Sequence, residues 1–239
     1  MNINKQRIHS ITALLEEQKV RRFIPVTEIE CREGTVDSMG DEAGRKYIQL
    51  NSRGEWGGRD TYTTFHFRVT LPEEAAGYAC FVDVVTGRES EWEQQGVNPQ
   101  FLVWVNGELR QGMDVNHREI FLSESGNAKE SYEIIAEGWA GLHDGICLFR
   151  PALQLIDRRV ERLYYTFLLL QKAADMDGQN PEAAHWLYKE LCHAANLLDL
   201  RNLSGEAFVE STVEADSYLR REVLERGGND MTLCCIGST

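Results

Sequence analysis

The stretch Val103-Trp104-Val105-Asn106-Gly107-Glu108-Leu109-Arg110 reads as a β-hairpin. Asn-Gly tolerates positive φ at both turn positions, and the β-branched and aromatic residues before it suit a half-buried strand. The surrounding chain has the same texture. Tyr62 to Thr70, Ala79 to Val85, Gln100 to Val105, Glu119 to Leu122, Tyr132 to Ala136 and Cys147 to Leu155 are short and β-prone. Thr64-Phe65-His66-Phe67-Arg68-Val69 alternates strictly. Turn chemistry separates these segments at Pro72, Gly77, Gly87, Asn98-Pro99 and Gly126-Asn127. Many short strands at this spacing predict an all-β, jelly-roll-like (galactose-binding-like) sandwich over residues 25–155.

On either side the period is helical. Ile8, Ile11, Leu14 and Leu15 predict a helix over residues 3–22, with Lys19, Arg21 and Arg22 suited to its C-terminal end and Pro25 stopping it. Residues 1–24 are therefore taken as a separate N-terminal helix, and Val26 to Cys31 as β-rich. From Asp157 the apolar positions Val160, Leu163, Tyr164, Phe167 and Leu168 recur at helical spacing. Asn180-Pro181-Glu182 supplies an N-cap, a first-turn proline and an acid for a second helix. Ser204 opens a third, which Gly227 ends. Residues 156–228 thus form a three-helix segment. Met231-Thr232-Leu233-Cys234-Cys235-Ile236-Gly237 is a continuous apolar run of strand length, the pattern of a strand buried on both faces of a parallel sheet. With no partner strand nearby, residues 229–239 are expected to be the first strand of a further domain.

The net charge is −13, from 38 acidic and 25 basic residues. A diffuse negative charge argues against nucleic-acid and anionic-membrane partners. No apolar stretch approaches the roughly 20 residues of a membrane span, and residues 1–15 lack the pattern of a secretory signal. The six cysteines include no Cys-x-x-Cys pair and are read as reduced, small hydrophobes. A cytoplasmic protein is expected.

The 18 residues from Val103 to Ile120 closely resemble a segment of the N-terminal β domain of class II α-mannosidases of the cytosolic type, glycoside hydrolase family 38, which carries V-x-V-[DN]-G-x-x-x-Q-G-x-D-x-N-H-x-E. Trp56-Gly57-Gly58-Arg59-Asp60 with Thr64 to Phe67 resembles that family's entry strand. Leu148-Phe149-Arg150, Asp157, Leu163-Tyr164-Tyr165 and Ala194 to Leu200 resemble its passage into and through the helices. The resemblance runs from Trp56 to the last residue. It implies that the apolar run at 231–239 is the first strand of the catalytic α/β barrel, and that the chain ends where a zinc-binding His-x-Asp pair would follow. On that reading this chain has no catalytic residue and no metal ligand. Zinc is expected only in the full-length enzyme, a retaining glycosidase acting on terminal α-mannosides through two carboxyl groups. The expected partners are the catalytic barrel of the parent polypeptide, a second copy reached through the first helix, and a mannoside. A carbohydrate-binding module and a stand-alone protein-interaction domain are the alternatives.

Asn106, Gly107, Gln111, Gly112, Asp114, Asn116, His117 and Glu119 are the motif positions, read as structural or interdomain residues. His117 and Glu119, two apart, would share a face of a strand. With no second histidine near, a hydrogen-bonded pair outweighs a metal or sugar site. Among the five tryptophans, Trp104 is read as core, and Trp56, in a glycine-rich stretch, as the candidate sugar contact. His185 and His193, eight apart on one helix, lack a third ligand.

Overall fold

The computed structural model describes residues 3–34, 46–87, 98–142, 144–176 and 181–225. The chain divides into two compact units, residues 1–20 with 157–239 and residues 21–156. The apolar run at 231–239, Gly227 and Asn180 lie outside the described residues.

The helical unit contains α1 (Ile3–Lys19), α2 (Arg158–Met176), α3 (Pro181–Leu197) and α4 (Glu206–Leu219), the last running into a π-helical turn, Arg220–Leu224. Asp157 starts α2 as its composition suggests: its carboxylate accepts the backbone N–H of Arg159 at 3.0 Å and binds that residue's guanidinium at 2.9 Å. One core takes Ile8 and Leu15 from α1, Leu163 and Phe167 from α2, Leu191 from α3 and Phe208 from α4. Inside it, Thr12 donates to Gln171 (2.8 Å) and Thr166 to Asp216 (2.9 Å), so these buried polar side chains have partners. Asp216 also meets Arg162 and Arg220.

Two expectations change here. The first helix is not a separate element. Its stripe of Ile8, Ile11 and Leu15 is buried against its own chain, and Asp157 N donates to Lys19 O at 2.9 Å. The helix also ends at Lys19, and Val20–Pro25 is a strand, β1. Pairing with a neighbouring strand overrides the local helical pattern, and Arg21, Arg22 and Pro25 are as acceptable on an edge strand as after a helix. Edge exposure leaves Phe23 58% accessible.

The β unit continues with β2 (Ile29–Glu33), β3 (Ile48–Gln49), β4 (Glu55–Gly57), β5 (Tyr62–Thr70), β6 (Ala79–Val85), β7 (Gln100–Val105), β8 (Glu108–Met113), β9 (Glu119–Ser123), β10 (Ser131–Trp139), β11 (Ile146–Leu148) and β12 (Arg150–Ile156). They form a four-stranded sheet ordered β1-β12-β6-β9, a six-stranded sheet ordered β3-β2-β5-β10-β7-β8, and a small β11-β4 pair. The two large sheets enclose a single core, a sandwich-like arrangement. Alternation works as expected: Phe65, Phe67 and Val69 point inward from β5, with Val103, Val105, Ile134 and Ala136 from its sheet and Val82, Ile120 and Leu155 from the other. Phe65 and Phe149 stack with ring centroids 4.0 Å apart. The Asn106-Gly107 turn has φ of 52° and 81°, the left-handed values that only such a pair accepts cheaply, and it joins β7 to β8.

Candidate functional site

The residues of the motif hold the sandwich together. Asn106 Oδ1 accepts the backbone N–H of Glu133 at 2.9 Å, tying the hairpin turn to β10. Gln111 Nε2 donates to the carbonyl of Glu119 at 3.0 Å. Gln111 belongs to the six-stranded sheet and Glu119 to the four-stranded one, so that bond and the loop 114–118 strap the two sheets together. Asp114 Oδ1 accepts the N–H groups of Asn116 (2.8 Å) and His117 (2.7 Å) and meets His117 Nδ1 at 3.2 Å. These donors, the His117 N–H first, hold the Asp114 carboxyl below the ordinary carboxylate range. The histidine's carboxylate partner is thus Asp114. It is not Glu119, because His117 sits in the turn before β9 rather than on a strand beside it. Asn116 and Glu119 are solvent-exposed. Arg118 pairs with buried Asp83 at 2.9 Å; burial pushes that carboxyl up and the guanidinium opposes it.

The two tryptophan readings reverse. Trp56 is buried, 9% exposed, with its indole N–H donating to Leu148 O at 3.1 Å and its ring edge-on to Phe65. Gly54, Gly57 and Gly58 around it all have positive φ, so the glycine-rich stretch is a set of sharp bends that turn the indole inward. Trp104, taken as core, is half-buried on the outer face of β7, opposite Val103 and Val105. On α3, His193 meets the Tyr218 hydroxyl at 3.0 Å, and His185 is exposed.

A cleft of about 460 Å³ lies on the outer face of the six-stranded sheet. Register builds it. Trp139 pairs with Tyr62 on one side and Gln100 on the other, and Glu137, two residues earlier, pairs with Leu102, which pairs with Gly112. All of these line the cleft, and Asp114 and His117 form its lip. Tyr62 and Trp139 are nearly parallel, 26° apart with centroids 6.4 Å apart. Trp139 Nε1 donates to Asp60 Oδ1 at 3.0 Å, which fixes the indole, and Asp60 is held in a left-handed conformation by its own N–H to Gly141 O. Gly112, Asp114 and His117 were singled out from sequence. Tyr62, Gln100, Leu102, Glu137 and Trp139 were not, because only strand register brings them together. Among the described residues no group of three His, Cys, Asp or Glu side chains is placed to hold a metal ion, and no helix is long and apolar enough to cross a membrane.

No protein-family model matches this chain, and no curated protein does. Solved structures with some likeness include a β-glucuronidase from Ruminococcus gnavus. Its complex with D-glucuronic acid aligns at a TM-score of 0.38 and 6% identity, over 56% of this chain and 29% of that one. Its complex with uronic deoxynojirimycin aligns at 0.38 and 7%, over the same shares. The chain therefore spans less than a third of the length of these structures. Likeness at this level has no bearing on what the chain does.

Proposed function

We propose that this chain is the non-catalytic N-terminal scaffold region of a cytoplasmic class II α-mannosidase, with a jelly-roll, galactose-binding-like sandwich that packs against the catalytic barrel of the parent polypeptide. The observation that carries this reading is how the motif spends its side chains. Asn106, Gln111 and Asp114 each hold backbone groups, and together they close the hairpin and strap one sheet to the other. Groups committed in this way give shape rather than reactivity. Zinc is what the resemblance implies for the full-length enzyme. In this reading the metal belongs to the barrel.

The test is hydrolysis of 4-nitrophenyl α-D-mannoside, with and without added zinc. It compares this 239-residue chain with the longest product of its natural reading frame. Hydrolysis by the longer product alone is the expected result. Turnover by the 239-residue chain would overturn the scaffold role, and inactivity of both would overturn the family reading.

A further inference from the structure

The outer-face cleft has a chemistry that the scaffold role does not use. A solvent-facing side of a sandwich sheet normally carries polar residues. Here Tyr62 is 41% and Leu102 46% exposed, and they adjoin Trp139 in one concave apolar patch. Polar residues line the same patch: Glu137, Gln100 and the Asp114–His117 lip. A few polar residues around an aromatic floor, in a volume within the roughly 300–1,000 Å³ of small-molecule sites, make a ligand cleft.

We propose that this cleft binds a neutral pyranose ring, with the apolar face of the sugar against Tyr62 and Trp139 and its hydroxyls meeting Glu137 and Gln100. A pyranose has what the cleft complements, a C–H face for the rings and a rim of hydroxyls that donate to a carboxylate and exchange bonds with an amide. Trp139 and Glu137 are successive outward residues of one strand, about 7 Å apart, so one ring can touch both. The site is preorganised. Asp60 fixes the Trp139 indole, and the backbone N–H groups of Asn116 and His117 fix Asp114. The residues that line the cleft include Glu137 and Asp114 but no Lys or Arg to pair with a sugar carboxylate, which disfavours a uronic acid. Gly112 keeps the cleft open: a Cβ there would meet only the Phe101 carbonyl at 3.8 Å, so the position admits a side chain without backbone strain. The inference stands on this geometry and is independent of the α-mannosidase reading.

The test is calorimetric and NMR titration of the 239-residue chain. The probes are the methyl α- and β-pyranosides of mannose, glucose and galactose, with glucuronate and choline alongside. Saturable binding of at least one neutral pyranoside is expected, with glucuronate weaker by at least about tenfold. Trp139→Ala is expected to weaken that binding by about tenfold or more. Gly112→Leu should abolish it while the circular dichroism stays unchanged, and Phe121→Ala, on the other sheet, should leave it intact. If Gly112→Leu fails to fold, Tyr62→Ala takes its place. The proposal is overturned if no neutral pyranoside binds at tens of millimolar, if choline alone binds, or if binding survives both cleft variants. None of these outcomes depends on whether a longer product hydrolyses mannosides.

Discussion

Replacing Trp56 separates a core residue from a surface one. The indole is 9% exposed, packed between Phe65 and Phe101 at centroid distances of 5.2 and 5.5 Å. A buried tryptophan removes about 200 Å² from water, which at ~25 cal/mol per Å² is ~5 kcal/mol. Alanine keeps about 1 kcal/mol of that. Trp56→Ala should therefore destabilise the β unit by ~4 kcal/mol, within the range for large aromatic deletions. Trp56→Phe keeps the ring contacts and loses the bond to Leu148 O, worth ~1 kcal/mol, plus a small cavity of similar cost. Its expected penalty is ~2 kcal/mol. Urea unfolding followed by β-sheet circular dichroism measures both, and titration of Trp56→Phe with the pyranosides measures the site. A penalty below ~1 kcal/mol for Trp56→Ala would refute the burial argument. Loss of sugar binding in Trp56→Phe at unchanged stability would restore Trp56 as a sugar contact.

Gly138 faces the same core, where an added Cβ would lie 2.6 Å from Phe101 Cε1 and 2.8 Å from Trp56 Cη2. Gly138→Ala should cost about 1–3 kcal/mol by overpacking. Combining it with Phe101→Leu should recover part of that loss, and strict additivity in a double-mutant cycle would argue against the contact. The Asp114 carboxyl is depressed in the folded chain, so the stability it adds is complete above its ordinary value of 3.8 and lost as pH falls through the lower, folded value. The His117 amide resonance should report that transition. It should vanish in Asp114→Asn, and a midpoint at or above 3.8 would contradict the hydrogen bonding described.

Much of the sandwich was legible because its signals are local. The segment expected at Tyr62 to Thr70 is β5 over the same residues, and Asn106-Gly107 forms the hairpin its chemistry demands. What escaped reading is non-local. Val20–Pro25 looks like a helix end until it is seen as an edge strand beside β12. Trp56 looks exposed because glycines flank it, yet those glycines make the bends that bury it. The cleft was half legible. Gly112, Asp114 and His117 lie within one stretch of sequence, but Tyr62 and Trp139 meet them only through the register of β5, β10 and β7. Trp139 also lay beyond the strand expected at Tyr132 to Ala136, since Glu137 and Gly138 broke the β-prone run.

The helical unit is assembled from segments that precede and follow the β unit in sequence, and this sets an order of events at the ribosome. Every strand from β2 to β12 lies within residues 21–156, so the β unit can close as soon as those residues have emerged. The first helix is made before the β unit but must wait until after it, because its partners begin at Arg158. Until they arrive, Ile8, Ile11 and Leu15 have nothing to cover them. A nascent chain stalled between these points would carry a closed β unit beside an α1 whose apolar stripe is still uncovered.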